Sequence, residues 1–247
     1  IEKAVKDFWG EELIQFLGSV ATVSPATLGR ALVLGAVMHP AMIRNFTKLD
    51  RSEVRAEADV ATAAKIAERW KRITYVESDP EGAKLKAEAE EKGAGFLNNA
   101  QTTVRKVAAQ IKLDPKVLEK LLQFTKAIQI KIPLTLDEGG ETRYIDGYRI
   151  GHAPYRGPYK GGIRYAIAVV LSMIKALATE MSFKNAIAGL PYGGGKGGVA
   201  VNPKELSVKE LARLTRGYVS ECLKQDPKAF GPLDDVPAGD IGTTSRE

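Results

Sequence analysis

Gly189-Leu190-Pro191-Tyr192-Gly193-Gly194-Gly195-Lys196-Gly197-Gly198 decides how the rest of the chain is read. Five glycines and one lysine fill positions 193–198. Glycines this dense strip side chains from a backbone that must bend sharply or approach another group closely. Lys196 is the chemically active group left among them. A lysine enclosed by bare backbone is desolvated, which makes its charge easier to lose. The plainer alternative is a glycine-rich surface turn with a solvated lysine. Both readings make the stretch a loop.

Two phosphate-binding readings fail on context. Gly193, Gly195 and Gly198 spell G-x-G-x-x-G, but that motif needs a strand before it and a helix after it. Here a strand-like Val199-Ala200-Val201 follows, stopped by Asn202-Pro203. A P-loop needs Ser or Thr after its lysine, and Gly197 stands there instead.

Outward from this stretch, the 247 residues suffice for one large domain, or a domain with an extension. A hydrophobic share of 44% with 27% charged residues is that of a globular protein. The net charge of +6 comes with no nucleic-acid module and few aromatics among the basic residues, so no nucleic-acid partner is expected. A single cysteine, Cys222, excludes an intrachain disulfide. With His39 and His152 as the two histidines, no His/Cys zinc site is expected. The chain begins at Ile1, which reads as a processed or trimmed product whose targeting peptide would lie outside it. The most apolar window, 31–43, is too short for a membrane span and reads as a buried helix, with an interfacial helix as the alternative.

Residues 1–95 read as a helical N-terminal extension. Ile1, Val5, Phe8, Leu13 and Phe16 recur at helical spacing, and Ser24-Pro25 opens a helix that stops near Pro40. Asp50 with Glu53 starts another, carrying Ala63, Ile66, Ala67 and Trp70 on one face. The Glu/Lys/Ala run ending at Gly93 and Gly95 marks a boundary. Residues 96–247 then read as an α/β domain. Helices are expected at Asn98–Gln110, after the Asp114-Pro115 cap, and after Ser207, whose Glu210 completes a capping box. Alternation from Ile128 to Ile132, a turn at Asp137-Glu138-Gly139-Gly140 and a return over Thr142–Ile150 predict a β-hairpin. Gly157-Pro158-Tyr159-Lys160-Gly161-Gly162 reads as a second glycine-rich loop around a lysine, followed by a helix running into Phe183-Lys184-Asn185.

Lys160, Lys184 and Lys196 thus stand in or beside glycine-rich turns, and Asp240 stands in another. Taken singly, Lys160 and Lys184 are surface charges and Asp240 is a turn residue making an Asx-type bond. Together they suit a small acidic substrate: two lysines to meet its carboxylates, and one of lowered pKa to activate water. Crowding of the ammonium groups would supply the lowering.

The segments Gly147-Tyr148-Arg149, Gly157–Tyr165, Leu190–Gly198 and Val236-Pro237-Ala238-Gly239-Asp240, in this order and spacing, resemble the glutamate dehydrogenases of the Glu/Leu/Phe/Val dehydrogenase superfamily over about residues 96–247. The resemblance implies a substrate-binding domain with a mixed sheet flanked by helices. By position it makes Lys160 the residue that holds the side-chain carboxylate of glutamate and Lys184 the one that holds its α-carboxylate. Gly194 and Gly195 become backbone that closes on the substrate, Lys196 the lysine working through water on the α-carbon, and Asp240 the proton-transferring carboxylate. The implied reaction is reversible oxidative deamination of glutamate to 2-oxoglutarate and ammonia. The implied cofactor is NAD or NADP, and the implied assembly is a homo-oligomer, a hexamer, in the cytoplasm or mitochondrial matrix.

Three departures stand out. Gly151 and Ala153 flank His152 where the family has Gln and Asn. Ala166–Val170 is apolar where the family is polar. No doubly wound nucleotide domain is read in this chain, so the 247 residues alone are expected to bind substrate without transferring hydride. The alternative is a non-catalytic, dehydrogenase-like building block of a larger, possibly mitochondrial, assembly, whose residues 1–95 dock a partner protein or lie near a membrane surface and whose apolar stretch faces a partner or a tighter core.

Overall fold

A computed structural model describes residues 51–76 and 78–244, with side chains from residue 62 on. The helices expected before residue 50, and the apolar window at 31–43, lie outside the described residues. No described helix is long and apolar enough to cross a membrane.

Helix α1, Arg51–Ile73, lays Trp70 and Ile73 into the core and Ile66 against its edge. Ala63 and Ala67, expected on that face, are exposed. Helix α2 is Pro80–Gln110. Asp79 caps it by accepting from the Gly82 amide at 3.1 Å, with Pro80 in the first turn. The chain does not break where the charge run ends at Gly93 and Gly95, since both lie inside α2. A glycine inside a helix costs about 1 kcal/mol against alanine, yet a Cβ at Gly93 would meet the Val170 methyl at 2.8 Å. Gly93 therefore lets another segment approach α2 closely and does not stop the helix. Helix α3, Pro115–Leu122, starts on the expected Asp114 cap.

Strands β1, Phe124–Leu136, and β2, Gly139–His152, form the predicted antiparallel hairpin, longer at both ends, with Ile132 opposite Ile145. Gly139 and Gly140 turn the chain at φ +86° and +91°, a region that favours glycine. Then follow β3, Tyr159–Tyr165, α4, Leu171–Ile187, β4, Gly193–Val199, α5, Val208–Gln225, and β5, Asp235–Gly239. Ser207 and Glu210 close the predicted capping box at the start of α5.

The sheet order is β1-β2-β4-β3-β5. β2 pairs antiparallel with β4, while β3 runs parallel to both β4 and β5. This is the expected mixed sheet flanked by helices. One apolar cluster joins α1, the hairpin and α5 through Trp70, Ile132, Leu214 and Tyr218, and takes in Cys222. A second joins β2 to α4 through Ile150, Val169, Ile174 and Ala178. The apolar stretch before α4 is not a helix start, and its Val169 and Val170 are buried.

The largest correction concerns the two glycine-rich loops. Most of the first is strand β3, which carries Lys160, and 193–198 is the body of β4, a central strand with every residue buried. Val199, read as the start of a following strand, is the last residue of β4. The glycines are there because other groups come very close. A methyl on Gly194 would collide with the Ala178 carbonyl and the Ser182 hydroxyl of α4. One on Gly195 would stand 3.1 Å from a nitrogen of the Arg149 guanidinium. A glycine inside a strand often marks such a close approach.

Candidate active site

Lys196 sits in the middle of β4, 5% exposed. Successive residues of a strand point to opposite faces. Lys196 therefore leaves the face where Gly195 and Gly197 lie beside Arg149. Its Nζ meets Oδ2 of Asp240 at 3.1 Å. Asp240 stands just past the C-terminal end of β5 and also accepts from Nε of Arg164, on β3, at 2.9 Å. A Cβ at Gly162 would lie 2.8 Å from that of Asp240, so this bare position leaves room for Asp240.

Asp240 does not make the local Asx-type bond. The turn is closed by Thr243, whose hydroxyl accepts from the Asp240 amide at 2.8 Å. That frees the carboxylate for Lys196 and Arg164.

Burial pushes the Lys196 ammonium down from the usual lysine range. Asp240 opposes the shift, and Arg164 and Lys184 add to it. Burial leads, so the cause differs from the crowding of lysines expected from sequence. For Asp240, burial favours the protonated form, but Lys196 and Arg164 outweigh it and hold the carboxyl below its usual value. The pair is thus a desolvated lysine and an ionised carboxylate in contact, the arrangement proton transfer needs.

The other expected residues are placed as follows. Lys160 donates from Nζ to the Pro237 carbonyl at 3.2 Å, three residues before Asp240 on β5. Lys184, in the last turn of α4, pairs with Glu180 at 3.1 Å and is largely exposed, though its charge reaches Lys196. Gly194 and Gly195 are buried in β4. The structure thus brings Lys196 and Asp240 into contact and sets Lys160 against the same strand β5. It turns Lys184 toward its own helix.

These residues lie in a segment with known counterparts: 125–247 match the family model described as Glu/Leu/Phe/Val dehydrogenase, dimerisation domain. Through residues 125–247 the chain belongs to the Glu/Leu/Phe/Val dehydrogenase family. Glutamate dehydrogenase B of Halobacterium salinarum is 39% identical over 150 residues, which are 61% of this chain and 34% of the relative. The NAD-specific glutamate dehydrogenase of Peptoniphilus asaccharolyticus is 40% identical over 147 residues, 60% of this chain and 34% of the relative. The crystal structure of a glutamate dehydrogenase from Peptoniphilus asaccharolyticus superposes with a TM-score of 0.57 at 40% identity, over 61% of this chain and 37% of that one. The hetero-hexameric glutamate dehydrogenase from Thermus thermophilus gives a TM-score of 0.52 at 33% identity, over 64% and 35%. The chain spans about a third of the length of the curated relatives it matches. The family model names a dimerisation domain where the sequence reading expects a substrate-binding one.

Within this dehydrogenase segment, three further polar residues make contacts that their sequence motifs do not reveal. Arg149 is fully buried against Asp235. Its sequence signal is a charge in phase with Ile145 on the buried face of a strand, which demands a partner. Asn185 donates to the Gly193 carbonyl at 2.8 Å, tying α4 to β4. His152 places Nε2 2.8 Å from the Leu121 carbonyl and Nδ1 2.8 Å from the Ser182 hydroxyl. Burial lowers its pKa, with the Leu121 bond opposing.

Proposed function

We propose that residues 125–247 carry the substrate site of an NAD(P)-dependent glutamate dehydrogenase, which interconverts L-glutamate with 2-oxoglutarate and ammonia. The observation behind this reading is the Lys196–Asp240 pair, a buried ammonium of lowered pKa 3.1 Å from a carboxylate. The relatives' names supply the substrate and, for the Peptoniphilus protein, the NAD specificity. Neutral Lys196 takes the proton of the water that adds at the α-carbon, and Asp240 relays a proton to or from the nitrogen. Lys160 gives up the Pro237 carbonyl, and Lys184 gives up Glu180, to meet the two carboxylates of the substrate. The backbone of Gly194 and Gly195 borders the substrate, while α4 and Arg149 pack where their side chains would stand.

The described residues do not fit a dinucleotide. Their G-x-G-x-x-G lies within β4, and a bend follows rather than a helix N-terminus. The chemistry these residues can perform is orientation and proton transfer. A homo-oligomeric assembly is part of the proposal, supported by the dimerisation description and the hexameric Thermus relative. The alternative, a non-catalytic building block, drew on the apolar stretch at 166–170, of which Val169 and Val170 are buried.

The test is glutamate-dependent NAD(P)H formation by the complete native protein. Lys196→Ala is expected to lower kcat by roughly 10²–10⁴. Equal silence of parent and variant would overturn the reading. Because the base must be neutral, kcat/KM should rise with pH through the lowered Lys196 pKa.

A further inference from the structure

Arg149 lies on β2, and its side chain passes over β4 to reach β3 and β5. Its Nε donates to Oδ2 of Asp235 at 2.9 Å, and Nη2 donates to Oδ1 of the same carboxylate. Nη1 donates to the Gly161 carbonyl at 3.1 Å. Methyl groups on Gly195 and Gly197 would stand 3.1 and 3.4 Å from its terminal nitrogens, so the bare strand beneath is what admits the guanidinium. Both partners are fully buried. Lys126 adds a further contact to Asp235 at 3.2 Å, and Tyr218 and Cys222 complete the titratable surroundings.

Asp235 is the first residue of β5, and Asp240 follows directly after its last. The strand is short, lies at the sheet edge and pairs with β3. We propose that Arg149 is the positioning residue of the site: by clamping Asp235 and the Gly161 carbonyl, it fixes β5 against β3 so that Asp240 meets Lys196. A planar fork bonding two strands at once suits this task, and a lysine there cannot reproduce it. The inference rests on Lys196 and Asp240 being the working pair of the proposed dehydrogenase.

The test is the pH dependence of Lys196 labelling by acetic anhydride, read by peptide mass spectrometry on the 247-residue chain. The groups around Lys196 are Asp240, Arg164 and Lys184. Asp240→Asn removes the carboxylate that opposes the burial effect, so the Lys196 midpoint falls below that of the parent. Arg149→Lys, folded by circular dichroism, is expected to move the midpoint in the same direction, toward the Asp240→Asn value. Arg149→Met with Asp235→Leu, which replaces a buried ion pair by apolar groups of similar size and so has a good prospect of folding, is expected to do the same. Folded variants with the parent midpoint would overturn the proposal. So would failure of both to fold, which would make Arg149 a residue of the fold rather than of the site. No turnover is measured, so an inactive complete protein would sink the functional reading and leave this result standing.

Discussion

Strand β4 has an ion pair on each side, and the two differ in what surrounds them. Arg149 and Asp235 are both fully buried, and the guanidinium spends its donors on Asp235 and a backbone carbonyl. Lys196 and Asp240 are only partly enclosed, with side chains 7% and 20% exposed. Lys196 has three donor hydrogens, and Asp240 is its ion-pair partner among the described residues. The first pair has settled all its bonding inside the protein, so it can hold strands but cannot change partners. The second keeps capacity in reserve while burial weakens the lysine's hold on its proton. One strand of glycines serves both, admitting a guanidinium on one side and the backbone of α4 on the other.

The largest effect should come from breaking the sealed pair. Asp235→Ala leaves the Arg149 guanidinium buried without its partner and should cost about 3–5 kcal/mol in urea denaturation. A loss under about 1 kcal/mol would mean that water reaches this pair. On the other side of the strand, Gly194→Ala drives a methyl into the Ala178 carbonyl and should cost about 1–3 kcal/mol through displacement of α4. Gly95→Ala in α2, where a Cβ meets nothing within 4 Å, should instead stabilise by about 0.5–1 kcal/mol. If the two glycine variants shift the urea midpoint alike, close packing is not what the β4 glycines are for.

Much of the frame was legible because side chains announced it. The hairpin shows as alternation around Ile130, α3 as the Asp114-Pro115 cap, and α5 as the Ser207/Glu210 box. The central strand was not, because alternation cannot be seen where five of the seven residues lack a side chain. Dense glycine read as a turn. The site was legible as a set, since Lys196 and Asp240 do meet, but the meaning of its parts was not. Burial rather than lysine crowding leads the lowering at Lys196, and burial belongs to a sheet that the local sequence does not display. The role of Arg149 does not show in its motif, because its partner Asp235 is far away in sequence.

The half-open pair also sets an acid dependence of smaller size. Asp240 has a lowered pKa in the fold, so its contribution is present above the ordinary aspartate value of about 3.9 and is lost as pH falls through the folded value. Asp240→Asn should remove that contribution, about 1 kcal/mol for a partly enclosed pair, and flatten the acid limb of the urea midpoint against pH. Glu210 and Asp137, also held low, supply an acid limb that remains in the variant. An unchanged acid limb would mean that Asp240 is not paired in solution.

The most direct measurement is the titration of Lys196 itself, followed by carbon-13 NMR of labelled lysine side chains and assigned with Lys196→Arg. A midpoint below the ordinary lysine value of about 10.4, falling further in Asp240→Asn, is the predicted result. A midpoint at or above that value, indifferent to Asp240, would contradict the assignment of Lys196 as the working base.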